Sequence, residues 1–133
     1  LVPVTPDIDD WYLAADAFIL ASDIESLPRS MLEVMAFGTP VLAPAVFGVS
    51  EVVEDGINGL LFDPTSVASA AEVLRRFLQI PRARRKEMGE AGRLTVEANR
   101  SSANYARDYR ALFAALASER EPDLEAALKA TTA

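Results

Sequence analysis

Three short, continuously apolar segments in the first half of the chain constrain its fold most strongly. Residues 17–21, 40–44 and 59–63 are each typical of a buried strand, and turn-forming residues bound them. Between the first two, residues 29–37 predict a helix that stops at Gly38. Wholly apolar strands joined through a helix are typical of a parallel sheet covered on both faces. The sequence therefore predicts an α/β fold with short parallel strands.

Helical patterns dominate the second half of the chain, and a short helix precedes the first strand. Residues 9–15 predict that first helix, with Asp9 or Asp10 as its N-cap. Three later helices are predicted from apolar residues at helical spacing. Their predicted faces are Val67, Ala71, Leu74 and Leu78 after a capping Ser66, then Met88, Ala91 and Leu94 after Pro81, then Tyr105, Tyr109, Leu112 and Leu116 after Ser101 or Ser102.

The predicted domain organisation is one partial domain and a tail. Residues 1–118 are assigned to the domain, and residues 119–133 to a terminal helix starting near Pro122, followed by a frayed end. Three recognisable strands are fewer than the five or so of a complete doubly wound sheet. We therefore expect the chain, which starts at Leu1, to be the latter part of a larger domain. An open sheet edge would also allow copies of the chain to self-associate.

Composition excludes several classes of chemistry. The 133 residues contain no His and no Cys, which removes histidine acid–base catalysis, thiol nucleophiles and zinc–thiolate sites. A net charge of −7 argues against nucleic-acid binding by the whole domain. The start of the chain lacks the pattern of a signal peptide, and no apolar run is long enough to span a bilayer. These features lead us to expect a cytoplasmic protein, peripheral at most to the inner membrane face.

The segment from residue 22 to residue 41 is the candidate site. It follows a predicted strand and opens a predicted helix, and ligands of open α/β sheets bind just beyond the carboxyl ends of the strands. The free N–H groups of a helix start attract anions. Glu25 precedes this helix and Glu33 lies about one turn inside it. A nucleotide sugar would suit the arrangement, with its diphosphate at the helix start and its hydroxyls on the carboxylates.

Two structural interpretations of Glu33 remain open from the residues alone. Ser30 and Glu33 match a capping box, in which Glu33 would only secure the helix end. Arg29 and Glu33 are also spaced for a surface ion pair. Against both, the neighbours of Glu33 are apolar, and an acid is expensive to bury among them without a partner. That neighbourhood favours a functional purpose.

Three motifs in order give the chain a family resemblance. The E-x7-E pair of Glu25 and Glu33 is followed by Ala36-x-Gly38-x-Pro40-Val41, then by Gly48-x-x-Glu51-Val52-Val53-x-Asp55-Gly56-x-Asn58-Gly59-Leu60-Leu61, and is preceded by Trp11-Tyr12-Leu13-Ala14-Ala15-Asp16. This order resembles the C-terminal, donor-binding domain of retaining glycosyltransferases of the GT-B fold, group 1 (family 4). The resemblance runs from about residue 7 to residue 64, and more loosely to about residue 116.

The resemblance implies a role for each site residue. Glu25 would contact donor-sugar hydroxyls near the reacting carbon, as the nucleophile or as an orienting group, and Glu33 would hold the ribose hydroxyls. Backbone N–H groups of the intervening loop would bind the diphosphate and the sugar, and they belong to Ser26, Leu27, Arg29 and Ser30. The implied reaction transfers a sugar from a nucleotide diphosphate sugar with retention at the anomeric carbon. It requires no metal and no other cofactor.

Two positions depart from the family pattern. Pro28 stands where a glycine-containing loop is common, and it removes one N–H donor while presetting the backbone for a helix start. Phe47-Gly48 replaces a pair of glycines, so Phe47 is expected to reshape that loop. The Glu-Ser-x-Pro-Arg variant is similar to that of transferases for bacterial polysaccharides and cell-surface glycans.

The resemblance also implies what this chain lacks. The family's diphosphate-binding Arg and Lys lie upstream, as does the domain that binds the saccharide or lipid-linked acceptor. The basic residues Arg82, Arg84, Arg85 and Lys86 are expected to form a solvated face instead. The sequence thus predicts the donor-binding portion of a glycosyltransferase that is inactive alone. The alternative is a non-catalytic α/β interaction module.

Overall fold

A computed structural model describes residues 6–117 as alternating helices and strands, followed by consecutive helices. Within that range the elements are α1 (Ile8–Ala14), β1 (Phe18–Ile19), α2 (Arg29–Ala36), β2 (Val41–Pro44), a 3-10 turn (Phe47–Val49), β3 (Gly59–Phe62), α3 (Val67–Gln79), α4 (Arg82–Asn99) and α5 (Ser102–Ala117). The predicted terminal helix and frayed end lie outside the described residues. None of the helices within residues 6–117 is long and apolar enough to cross a membrane.

The strands form the predicted parallel sheet, in the order β1-β2-β3. Phe18 pairs with Val41, and Val41 in turn pairs with Gly59. Strand β1 is shorter than the predicted residues 17–21, although the amide of Leu20 still donates to the carbonyl of Leu42 at 2.9 Å. The parallel α/β prediction is therefore confirmed. Self-association through an open edge remains a prediction.

Both faces of the sheet are covered, because β2 sends alternate side chains into two separate cores. Val41 and Ala43 join a core that includes Met31, Val34 and Met35 of α2. On the opposite face, the second core consists of Leu42, Leu60, Val73, Phe77 and Met88. Every residue of β2 is buried, as expected for a central strand with two covered faces. Helix α2 is thereby fixed against one face of the sheet.

Helix α4 packs through two glycines together with only part of its predicted apolar face. Leu94 is exposed, whereas Gly89 and Gly92 are buried beside Met88. A Cβ placed on Gly89 would lie 1.9 Å from the carbonyl oxygen of Gly38, in the turn after α2. Only glycine permits two backbones to approach this closely, so α4 packs with Gly89 and Gly92 on its buried side. The predicted burial of Met88 is confirmed, whereas the predicted burial of Leu94 was wrong for this reason.

Helix α3 confirms one sequence prediction and corrects another. The hydroxyl of Ser66 accepts a hydrogen bond from the amide of Ser69 at 3.1 Å, as predicted for an N-cap. The buried residues, however, are Val73 and Phe77, while Val67 is largely exposed. The inward face is thus turned away from the predicted one. Burying the large Phe77 ring excludes more apolar surface from water than burying the predicted aliphatic residues would.

The turn before β3 has a buried side chain at its centre. Asn58 accepts from the amide of Glu54 at 2.7 Å and donates to the carbonyl of Val52 and to Thr95 Oγ1. Gly56 in the same turn has a φ of +79°. These contacts give the Asp55-Gly56 and Asn58-Gly59 motifs a structural role in the turn.

The predicted basic face is largely exposed, but two of its arginines also have structural contacts. Arg84 donates to the Gly56 carbonyl, and Arg85 donates to the carbonyls of Leu78 and Ile80. The guanidinium of Arg85 also lies over the Phe77 ring. Arg82 and Lys86 are exposed, as predicted.

The chain divides into two compact units, residues 1–98 and residues 99–133. In the second unit the hydroxyl of Ser101 accepts from the amide of Asn104 and caps α5, as predicted. Tyr105, Tyr109 and Phe113 follow at four-residue spacing, and their rings contact one another along the helix.

The first helix corrects a capping prediction. Helix α1 starts at Ile8, with Asp7 at the N-cap position, and it has no side-chain cap bond. Asp9 and Asp10 lie in its first turn instead, where a negative charge interacts favourably with the helix dipole.

Candidate functional site

The loop that carries Glu25 leaves the carboxyl end of β1 and contacts the connection that follows β2. A Cβ added to Gly48 would lie 1.8 Å from the carbonyl oxygen of Ser26 and 3.3 Å from Cβ of Leu27. Two loops therefore meet, backbone against backbone, at the carboxyl edge of the parallel sheet. Ser26 is exposed and Glu25 is partly exposed, whereas Leu27 packs against the core of α2.

The start of α2 is open at this edge. Pro28 is the N-cap residue, and the carbonyl of Pro28 accepts from the amides of Met31 and Leu32. No side chain among the described residues caps the helix. Because the first-turn amides of Arg29 and Ser30 precede the regular helical hydrogen bonds, they can bind an anion. The capping-box interpretation was wrong, since Ser30 lies inside the helix and not at its N-cap.

Glu33 lies in the second turn of α2 and faces solvent. Its apolar neighbours Met31, Val34 and Met35 point into the core, whereas the Glu33 side chain is 47% exposed. Glu33 is therefore not buried among its apolar neighbours, and the inference of a functional purpose from that neighbourhood was wrong: the helix is amphipathic, and Glu33 is on its outer side. Arg29 lies 3.8 Å from Glu33 Oε1, which confirms the predicted ion pair as a long one. The carboxylate therefore remains accessible to a ligand.

A second group approaches Glu33 from the interior of the protein. The hydroxyl of Tyr12, on α1, donates to Glu33 Oε2 across 3.4 Å. Tyr12 is only 8% exposed, and its ring packs against those of Phe18 and Phe37. Burial, followed by the nearby Glu33 carboxylate, raises the pKa of Tyr12 above its ordinary value. Tyr12 thus packs its ring into the core and makes a polar contact with Glu33 through its hydroxyl.

Phe47 gives the neighbouring loop an unusual conformation. Its φ is +27°, and its side chain is 75% exposed. A residue with a Cβ is strained at such an angle, and strain of this kind concentrates at functional sites. Gly48 follows immediately and makes the contact with Ser26. Phe47 thus adopts a backbone conformation that favours glycine, and the expectation that its side chain reshapes the loop remains a prediction.

A groove of about 260 Å³ borders the same edge of the sheet on the α3 side. Ile19, Leu42 and Val73 contribute apolar walls, and Asp23 and Asp63 contribute carboxylates. Hydrogen bonds from Thr65 hold the pKa of Asp63 below its ordinary value. Neither Glu25 nor Glu33 lines this groove, so it is separate from the start of α2.

Comparison with known proteins identifies the family to which this edge of the sheet belongs. A family model described as glycosyl transferases group 1 matches residues 2–95, which include the whole Glu25–Glu33 segment. The chain belongs to the group 1 glycosyltransferases. This assignment confirms the predicted family and favours a transferase over a non-catalytic interaction module.

The curated relatives of this group 1 glycosyltransferase chain are longer than the chain itself. D-inositol 3-phosphate glycosyltransferase from Arthrobacter sp. (strain FB24) is 38% identical over 92 residues, which are 69% of this chain and 22% of the relative. The enzyme of the same name from Streptosporangium roseum is 40% identical over 83 residues, or 61% and 19% of the two chains. The chain thus spans about a fifth of the length of these relatives.

Solved structures confirm the fold of the group 1 glycosyltransferase chain. Sucrose-phosphate synthase from Thermosynechococcus elongatus superposes with a TM-score of 0.69 at 33% identity, over 79% of this chain and 27% of that one. The Anabaena protein HepE, in complex with UDP-glucose, superposes at 0.64 and 24% identity, over 70% and 26%. The GT-B type of α/β architecture expected from the motifs is therefore confirmed.

The sequence placed the Glu25–Glu33 segment of this group 1 glycosyltransferase at the carboxyl edge of the sheet, and the structure has it there. That this edge binds a donor remains a prediction, and two contacts of the segment were not foreseen. The structure brings Ser26 and Leu27 against Gly48, and Arg29 against Glu33. The hydroxyl of Tyr12 was not foreseen, because 21 residues separate it from Glu33 and no local pattern connects them. The close approach at Gly48 had a signal, since a glycine beside an apolar loop residue often marks contact between backbones.

Proposed function

We propose that this chain forms the donor-binding portion of a retaining glycosyltransferase. The observation that carries the proposal is the uncapped start of α2 at the carboxyl edge of a parallel sheet, flanked by Glu25 and Glu33, in a group 1 glycosyltransferase. The complete enzyme would transfer a sugar from a nucleotide diphosphate sugar to a saccharide or lipid-linked acceptor. The variant Glu-Ser-x-Pro-Arg motif supports a role in bacterial polysaccharide or cell-surface glycan synthesis, in the cytoplasm.

The charges of the site assign different parts of the donor to different groups. The diphosphate is negative and suits the first-turn amides of Arg29 and Ser30, together with the exposed loop at Ser26. Carboxylates repel phosphate but accept hydrogen bonds from hydroxyls. Glu33, on the outer side of α2, would therefore accept from the ribose. Glu25, in the loop, would accept from the donor sugar near its anomeric carbon, as orienting group or nucleophile.

Among the nucleotide sugars, we propose a UDP-sugar as the first candidate donor. HepE, whose fold this chain shares, has a solved structure in complex with UDP-glucose. We propose that transfer needs no metal, because backbone amides and basic residues would neutralise the leaving diphosphate. Arg29 is the basic residue that this chain brings to the start of α2, and its side chain is 92% exposed.

The rest of the enzyme would supply further cations and the acceptor site. The chain spans about a fifth of the length of its relatives. We therefore expect the 133-residue chain alone to show no transferase activity with UDP-, GDP- or ADP-sugars. Turnover by this chain comparable to that of a full-length relative would contradict the proposal.

Steady-state kinetics on the full-length protein test the two glutamates separately. After a screen of nucleotide sugars, Glu33→Gln should raise KM for the donor about tenfold with little change in kcat, since it weakens a charge-assisted hydrogen bond of about 1.5 kcal/mol. Glu25→Gln should lower kcat at least about a hundredfold, because its contacts lie near the reacting carbon. NMR of the anomeric proton in the product should show retention.

Glu72→Gln is the matched control. It makes the same change on an exposed glutamate of α3 that pairs with Arg75. Its kinetic constants should equal those of the unmodified protein. The proposal is wrong if Glu25→Gln and Glu33→Gln behave like Glu72→Gln, or if the product anomer is inverted.

A further inference from the structure

We propose that Tyr12 is a positioning residue that orients Glu33 toward the ribose of the donor. The inference rests on the proposed function, because it takes the ribose hydroxyls as the ligand of Glu33. Its own basis is the position of the Tyr12 hydroxyl, 3.4 Å from Glu33 Oε2 on the inner side of the carboxylate. Arg29 approaches the other oxygen, Oε1, at 3.8 Å.

The contacts of Tyr12 hold its ring in one position, from which the hydroxyl can orient Glu33. It packs edge-on against Phe18 at 6.4 Å between ring centroids, and against Phe37 at 5.9 Å. The backbone carbonyl of Tyr12 accepts a buried hydrogen bond of 2.6 Å from Thr39 Oγ1. These contacts attach α1 both to β1 and to the end of α2. The hydroxyl therefore has one defined place beside Glu33.

Glu33 needs such a partner because its side chain is on the helix surface. A half-exposed glutamate samples several rotamers in water, and binding two ribose hydroxyls at once requires one of them. Arg29 does not fix the rotamer of Glu33, since the Arg29 side chain is almost fully exposed and solvent screens its interaction with the carboxylate. Tyr12 donates from the protein interior, where fewer water molecules compete.

The hydrogen-bond capacity of the carboxylate leaves room for the ribose. An ionised carboxylate accepts at about four lone-pair positions, of which Tyr12 occupies one. The remaining positions on Glu33 can accept from the 2′-hydroxyl and the 3′-hydroxyl together. An ordinary tyrosine is already protonated at neutral pH, and burial raises the pKa of Tyr12 further, so its hydroxyl remains a donor under working conditions. The predicted consequence is a Tyr12 effect that depends on the ribose hydroxyls.

Nucleotide binding to the full-length protein tests this dependence. The probe is whichever of UDP, GDP and ADP binds most tightly by calorimetry, compared with its 2′,3′-dideoxy analogue. Tyr12→Phe removes only the hydroxyl and should weaken the ribonucleotide about fivefold while leaving the dideoxy analogue unchanged. Combined with Glu33→Gln, it should add no further weakening, because both changes remove the same interaction.

Thr95→Val is the structural control. It also removes one partly buried hydroxyl, which accepts from Asn58 Nδ2 and donates to the Ala91 carbonyl. It should lower the melting temperature without altering the preference for ribose. If Tyr12→Phe weakens both nucleotides equally, or neither, the positioning role is refuted. If Glu33→Gln leaves ribonucleotide binding intact, or no nucleotide binds, the proposed function itself fails, and the role of Tyr12 fails with it.

Discussion

The two ends of helix α2 are built for different purposes. At its C-terminal end, Gly38 has a φ of +76° and the buried Thr39 bonds to the carbonyl of Tyr12. At its N-terminal end, Pro28 provides no side-chain cap, and Ser26 and Arg29 are exposed. One end is closed by packing and hydrogen bonds, while the other leaves amides available. The contrast indicates that stability is concentrated away from the start of α2, where we have proposed that the donor binds.

A glycine makes a close backbone contact at each end. A Cβ added to Gly89 of α4 would lie 1.9 Å from the carbonyl oxygen of Gly38, and a Cβ added to Gly48 would lie 1.8 Å from that of Ser26. The steric demand is nearly equal at the two positions. Alanine at each of the two glycines should therefore have different effects. At Gly89 it disturbs a junction between helices, and at Gly48 it disturbs the proposed binding loop.

The largest loss of stability is expected from Gly89→Ala. The added methyl group would meet the Gly38 carbonyl between two fixed elements, so α4 must move away from the end of α2. Overpacking of this kind costs about 3 kcal/mol, of which the better helix propensity of alanine returns about 1 kcal/mol. Urea denaturation should show a net loss of about 2 kcal/mol in the free energy of unfolding.

Gly92→Ala is the control for Gly89→Ala, on the same helix. A Cβ at Gly92 would lie 3.3 Å from the Asn58 carbonyl oxygen, a tight distance that a small shift relieves. Its free energy of unfolding should change by less than about 1 kcal/mol. Equal losses for the two substitutions would show that the junction with Gly38 is not special.

Gly48→Ala should have a smaller effect on stability and a larger one on the donor. The loop of Ser26 is exposed and can retreat, so we expect a loss of about 1 kcal/mol in the free energy of unfolding. That retreat would displace the loop amides, and nucleotide affinity in the full-length protein should fall about tenfold, measured by calorimetry.

Gly56→Ala separates steric contact from backbone conformation. Gly56 has a φ of +79°, but among the described residues, its two chain neighbours aside, no heavy atom lies within 4 Å of its hypothetical Cβ. Its substitution should therefore lower stability by about 1 kcal/mol and leave nucleotide affinity unchanged. If Gly48→Ala retains full affinity, the contact with Ser26 has no part in donor binding.

The contrast between the ends of α2 also shows what the sequence could predict. Continuous apolar runs predicted the strands, and the acid pair with its following motifs predicted the family and placed the Glu25–Glu33 segment at the carboxyl edge of the sheet. Helix α4 itself was predicted, but its packing through glycines was not, because hydrophobicity scales give no weight to residues such as Gly89 that pack closely for want of a side chain. The contact between Tyr12 and Glu33 escaped prediction because it depends on how α1 packs against α2, not on local spacing.

The smallest effect is expected from Phe47→Gly, which tests whether the donor end holds backbone strain. A residue with a Cβ at a φ of +27° is strained by about 1 kcal/mol, and glycine relieves it but loses about 0.5 kcal/mol through greater freedom in the unfolded chain. Thermal unfolding should therefore show a gain of about 0.5 kcal/mol. Phe47→Ala keeps the Cβ and removes the ring, so it should show no gain. If alanine stabilises as much as glycine, the exposed ring and not the backbone is the unfavourable feature, and the donor end is no more strained than the closed end.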